Sequence, residues 1–548
     1  MDRRRFLRLA PPRGATAPAS TSGAAARAAA ALATYEQPLS RTEARHLVTR
    51  LEFGARLRRV NGFIGMTPTE AVDTILQEAE NNALPEPPRW YKDKRPGDTE
   101  DLYGMQRDWL YRMREQGFIE RITLFWHNHL VIQHNKTGIV PYHVYTYYKL
   151  LRTYALGNFK ELIRRIGIDP AMLIYLDGNG NRRLNDQKGS NENYARELLE
   201  LFTMGITGPD GSPNYLEEDN GPNDVRQISR VLTGWQVDGF AARPNRLFHD
   251  SGDKQIFGKT FAGSEDPLDE YNRFIDFLFA ERGPQIAHYI CRKFYVFFID
   301  PIPDEAFVAQ LAQVFLDHDF EIKPVLRTLF LSRRFYEPGL SGCRIKSPVD
   351  FLVGFLNETE TSPSREVLEY FRQQLEPARL AMELFNPPNV AGWPGLNPPD
   401  SSGAPGDETW ITTGLLPERW NILTDLITGQ VDPDVFDPVK IAIRVSDPSN
   451  PFAIAEDLAQ AMMPVPLEYT SIRATDEPFE GDMMIPPPQE VLDDPTRSTL
   501  SKLLLNGTPW YDWPTLNEEG IANIDGARTL LREYLAMLSR EMPEYQLH

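Results

Sequence analysis

Two stretches carry side chains whose types and spacing could do chemistry. One is FWHNHLVIQHNK, Phe125 to Lys136, which holds His127, His129 and His134 within eight positions. The other is NENYARELLELFTMG, Asn191 to Gly205, which holds two amides, a guanidinium and three carboxylates. Imidazole nitrogens and carboxylate oxygens ligate divalent metals, and both groups move protons near neutral pH. Wound as a helix at about 100° per residue, the second stretch lines up Asn193, Glu197 and Glu200 at i, i+4 and i+7 with Arg196 beside them. Tyr194, Leu198, Leu201 and Phe202 then form its apolar stripe. On this reading Glu197, His127 and Arg196 are the catalytic candidates, and His127, His129 and Glu197 the candidate ligands of a divalent metal. Asn193, Glu200, His249 and Trp393 are candidates for substrate contact. The competing reading is a satisfied internal network, with the histidines bonded to buried carbonyls or to the Asn193 and Glu197 stripe.

Spacing limits the metal reading. On a helix His127 and His129 point about 200° apart, and Glu120, His127 and His134 share a stripe at steps of ~10 Å, too long for one ion. Only an extended or turning backbone would let both imidazoles face one centre. The letters His-Asn-His do not spell the nuclease of that nickname, whose ligands are dispersed over a ββα unit. DGNGNRRLND, from Asp177, begins like a calcium loop but has Arg182 where the sharp turn needs Gly and Lys188 where a bidentate Glu belongs, so it reads as a turn-rich loop. Glu217, Glu218 and Asp219 read as a solvated acidic face. His249 and Asp250 read either as a base with its orienting carboxylate or as a turn closed by the Asp side chain. No Gly-rich phosphate loop, nucleophile elbow or His-Glu-x-x-His helix occurs in the sequence.

The elements that must position these groups are mostly helical. Thr67, Pro68 and Glu70 spell an N-cap, a first-turn proline and a capping box, and Ser347 with Pro348 repeats the device. Helical runs are expected over Ala306 to Asp317, Lys323 to Ser332 and Ala527 to Arg540, the last docking through Leu530, Leu531, Tyr534, Leu535 and Leu538. Trp235 to Gly263 alternates and is broken by glycines, which predicts a β-hairpin excursion. Asn386 to Trp410 is too rich in Pro and Gly for regular structure, and Trp393 and Trp410 are expected to anchor it as a functional loop or lid. Ile485 to Pro488 reads as a spacer.

The chain has 548 residues, a net charge of −19 and two cysteines, Cys291 and Cys343. Excess acid opposes sequence-independent nucleic-acid binding, and no run reaches the ~18 apolar residues of a membrane span. Arg3, Arg4 and Arg5 before Phe6 and Leu7 look like the start of a twin-arginine export signal. Arg8, Pro11, Pro12 and Arg13 interrupt the ~7 to 15 apolar residues such a signal needs. A flexible arm followed by a short Ala-rich helix is the alternative, and on these residues a cytoplasmic location is favoured.

WHNHL at Trp126, NENYARELLELFTMG at Asn191, DVRQISRVLTGW at Asp224, FHDSGDKQIFGKTFAG at Phe248, IAHYICRKFYVFFID at Ile286 and NPPNVAGWPG at Asn386 together resemble the bacterial domain-of-unknown-function family 1800. Their order covers roughly Leu39 to Leu423, and the terminal MPEYQL is similar to the family's ending. The resemblance implies a mostly helical bacterial protein, a family with no agreed activity, frequent twin-arginine export, and genes for sulfatase-like proteins nearby.

These observations predict a mostly α, multi-helical single large domain with a small β-hairpin excursion and long Pro/Gly-rich loops. Residues 1–38 would form an arm, 39–428 the helical core, and 429–548 an extension whose helices dock on it. A polar cavity is expected where the Asn193 helix meets the His127 segment beneath the Trp393 loop. Its function is either metal-assisted catalysis on a small molecule or non-catalytic scaffolding for an envelope partner, including a sulfatase-like protein.

Overall fold

The computed structural model describes residues 21–183, 190–218, 221–399, 406–465, 479, 485–514 and 524–548. The first twenty residues with the arginine cluster, residues 184–189 of the Asp177 loop, Asp219 and residues 400–405 of the Trp393 loop lie outside them. Over the described residues the protein is mostly α-helical, with two small antiparallel hairpins. No described helix is long and apolar enough to cross a membrane.

Local chemistry starts the helices as the sequence predicts. Thr67 caps Pro68–Asn81, and Ser347 caps Pro348–Glu358; each side chain accepts from the third backbone N–H while Glu70 or Asp350 reaches back. Glu305–Asp317, Ile322–Leu331 and Ile524–Arg540 match the periodic runs. In the last, Leu531, Tyr534, Leu535 and Leu538 are buried, and the Tyr534 hydroxyl donates to Ala455 O at 2.7 Å. The glycine-punctuated stretch folds as two hairpins. Strand β1 (Trp235–Asp238) pairs with β2 (Ala241–Pro244), and β3 (Lys254–Ile256) with β4 (Lys259–Phe261).

Three elements position the candidate groups. Helix Phe118–His129 is buried along its whole length and ends at the His-Asn-His letters. Helix Pro267–Phe298 runs beside it, bent where Arg282 leaves helical geometry two residues before Pro284, whose ring cannot donate into the ladder. The 191–205 segment is not a uniform α-helix. Asn193–Glu197 is one α-turn, and Leu198–Thr203 widens into a π-helical turn. Such turns are rare and occur often at functional sites.

Candidate functional site

The Trp126 to His129 run ends a helix and bonds in four directions. Trp126 Nε1 donates to Ala155 O at 3.0 Å. His127 Nδ1 lies 2.9 Å from the Tyr147 hydroxyl, which spends its own proton on Leu130 O at 2.6 Å. His127 Nε2 accepts from the Phe385 N–H at 3.1 Å. These partners fix a neutral imidazole with the proton on Nδ1, and burial draws its pKa down to about 3. Asn128 Oδ1 accepts from Trp393 N at 2.7 Å, while its amide donates to Asn397 Oδ1 at 3.1 Å. Gly392 takes a positive φ of 88° directly over Asn128, where a Cβ would collide with the Asn128 carbonyl.

His129 leaves the opposite side of the helix. Its Nε2 lies 2.9 Å from Phe202 O, an acceptor only, so Nε2 carries the proton. Its Nδ1 then accepts from Lys293 Nζ at 3.1 Å. Burial, then Arg292 beside it, lowers the Lys293 amine to about 7. One turn earlier, the Tyr289 hydroxyl donates to Leu201 O at 3.2 Å, and its ring lies 6.3 Å from that of His129. The π-turn therefore has its last carbonyls held from outside by Tyr289 and His129, while Thr203 Oγ1 bonds Leu198 O at 2.5 Å.

The acid side of the same segment faces outward and is half-buried. The carboxyls of Glu197 and Glu200 are both held above the usual glutamate range, first by burial; for Glu197 the charge of Glu200 adds to it. Neither has a hydrogen bond or ion pair among the described residues. Burial raises the phenols of Tyr289, Tyr175 and Tyr215, and the negative charge of both glutamates at Tyr289 and Tyr215, and of Glu197 at Tyr175, adds to it. Arg196 pairs with Glu217 and Glu192, the latter at 3.3 Å, and its charge offsets part of the rise at Glu197 and Glu200. Asn193 donates to Leu176 O at 3.3 Å.

The remaining candidates sit elsewhere. His249 is buried, with Nδ1 3.0 Å from Thr233 O and Nε2 3.1 Å from Glu270 Oε2, and Lys254 pairs with the same Glu270. Its sequence neighbour Asp250 instead takes a bidentate ion pair from Arg230 at 2.8 and 3.0 Å. Trp393 is buried over the His127 ring at 5.4 Å and anchors its loop, as does buried Trp410.

The structure thus joins His129 to the 191–205 segment and His127 to the Trp393 loop, and it does not bring the two imidazoles together. The candidate metal set of His127, His129 and Glu197 is not drawn together by this geometry. His127 has no lone pair left over, and an ammonium points at the one lone pair of His129. Among the described residues no three His, Cys, Asp or Glu side chains gather as a metal-holding group. Lys293 and Tyr289 were not singled out in the sequence. Their signal is a tyrosine and a lysine four residues apart, on one face of a helix.

No curated protein and no solved structure matches the chain. One family model spans nearly all of it, from within helix Arg41–Leu51 to all but the last two residues, and takes in both the His127 and the Asn193 stretches. On that match, over residues 46–546, the chain belongs to the family described as protein of unknown function, DUF1800.

Proposed function

We propose that the π-turn and its surroundings form the working site of an enzyme that moves protons on a small polar substrate. Glu197 is the proton-transfer group, Glu200 sets its basicity, and Tyr175, Tyr215 and Tyr289 wall the substrate. The observation that carries this reading is the pair of half-buried carboxylates without a hydrogen-bond donor among the described residues, Glu197 just before the π-turn and Glu200 within it. A structural carboxylate at that depth ordinarily finds a donor, and a proton-transfer carboxylate needs a raised pKa. A divalent ion used here would rest on Glu197 and Glu200, which keep free lone pairs, rather than on His127 or His129.

One observation favours the second reading, a non-catalytic scaffold for an envelope or sulfatase-like partner. Every member of the Trp126 to His129 run is saturated by internal bonds, which suits a purely structural motif.

The test follows the Glu197 and Glu200 carboxyl carbons by NMR against pH. A thermal-shift screen of small polar compounds and divalent ions accompanies it on the wild type, Glu197→Gln and Glu200→Gln. The expected result is two titrations above the ordinary glutamate range and a ligand whose stabilisation vanishes in both variants. Ordinary titrations, or ligands indifferent to both substitutions, would remove the site and leave the scaffold reading.

A further inference from the structure

A second, independent place in the fold has the makings of a ligand site. Helix Arg41–Leu51 and the C-terminal helices Pro451–Met462 and Pro495–Leu505 line a cleft of about 390 Å3. Arg45 reaches it from a position only 8% exposed. Its guanidinium makes no hydrogen bond or ion pair among the described residues, and its Nε is buried without a partner. Glu358, whose field reaches it, is committed, since both carboxylate oxygens take the Lys346 ammonium at 3.0 and 3.2 Å. A guanidinium does not escape by losing its proton, so Arg45 is a buried cation without a counter-ion.

The rest of the lining says what would satisfy it. Of its two acids, Glu456 pairs with Arg497 at 3.2 Å and accepts from Gln460 at 3.1 Å. Asp494 caps its helix through the N–H groups of Thr496 and Arg497 at 2.9 and 3.0 Å. Arg41, Arg45 and Arg497 against these two carboxylates leave one positive charge. A single negative charge matches that balance, whereas a phosphate dianion would meet two carboxylates. Met463, Pro464 and Val465 supply an apolar side to the same cleft.

We propose that this cleft binds an organic carboxylate, with its head group on the Arg45 guanidinium and its apolar body along Met463, Pro464 and Val465. The planar fork of arginine matches a carboxylate in a way that lysine does not. Calorimetry with n-octanoate, n-octanol and octyl phosphate on the full chain tests this. Octanoate is expected to bind, octanol not to bind, and octyl phosphate to bind more weakly. Arg45→Met should weaken octanoate roughly tenfold or more, the usual effect of losing a charged hydrogen bond. Should Arg45→Met fail to fold, Arg45→Lys and the exposed-site variant Arg41→Gln serve instead, each expected to weaken octanoate roughly threefold. Absence of octanoate binding, equal binding by these variants, equal binding of octanol, or preference for the phosphate would each overturn the proposal.

Discussion

Lys293 Nζ lies 3.1 Å from His129 Nδ1, and the lysine is the donor, because the imidazole has already committed its only proton to Phe202 O. This fixes the direction of every proton at the base of the π-turn and ties the bent helix Pro267–Phe298 to the end of Phe118–His129.

The amine held near 7 has a pH consequence. An unfolded lysine titrates near 10.4, so between about 7 and about 10 the unfolded chain binds more protons at this position than the folded one. Stability from Lys293 therefore rises with pH across that window. Lys293→Met should be more stable than wild type at pH 6, by about 1 kcal/mol, with the advantage shrinking by pH 10. Urea denaturation at both pH values measures it, and an advantage that grows with pH would contradict the assignment.

Asp169 gives the opposite slope. It caps helix Pro170–Tyr175 through the N–H groups of Ala171 and Met172, yet burial pushes its carboxyl up to about 7. The folded state then holds a proton that the unfolded state loses near 4, and stability falls as pH rises from about 4 to about 7. Asn also caps helices but does not ionise. Asp169→Asn should gain roughly 1 to 3 kcal/mol over wild type at pH 8 and nothing at pH 4, while Asp169→Ala loses about 1 kcal/mol from the missing cap at pH 4. Thermal unfolding of the three proteins at the two pH values separates charge from cap.

Asn128→Ala should free the Trp393 loop. The substitution removes the acceptor of a buried N–H, at a cost of about 1 to 3 kcal/mol. Limited proteolysis is expected to cut within 386–399 at a protease dose that leaves the wild type intact. An uncut loop with unchanged stability would show that Trp393 is held by ring packing alone.

Glu120 is the strongest purely structural prediction. Its buried carboxylate takes Trp109 Nε1 at 2.9 Å, the Tyr148 hydroxyl at 2.9 Å and Arg152 Nε at 2.7 Å. Glu120→Gln leaves the Arg152 guanidinium buried without its counter-charge, and a loss of about 3 to 5 kcal/mol is expected in chemical denaturation.

Much of the fold was legible because its signals are local. Thr67 with Glu70, and Ser347 with Pro348, announce helix starts within four residues. The divergence of His127 and His129 also followed from helical geometry alone. The site was less legible because its determinants are distant. Nothing within 191–205 says that Leu198–Thr203 widens; the carbonyls freed there are held by Tyr289 and His129, from two other helices. Likewise, Phe385 and Tyr147 rather than any neighbour in sequence decide which His127 nitrogen carries the proton.

The junction at Asn128 has a kinetic consequence. Its bond to Trp393 spans 265 positions, and His127 reaches Phe385 across 258. The helix that carries them is therefore complete on the ribosome long before its acceptors and donors have partners. Closure of so long a span carries a large entropic cost ahead of its reward, which makes this a slow-folding topology. The early half of the chain, with Trp126 and Phe125 waiting for cover, is the stretch on which a nascent-chain chaperone would act.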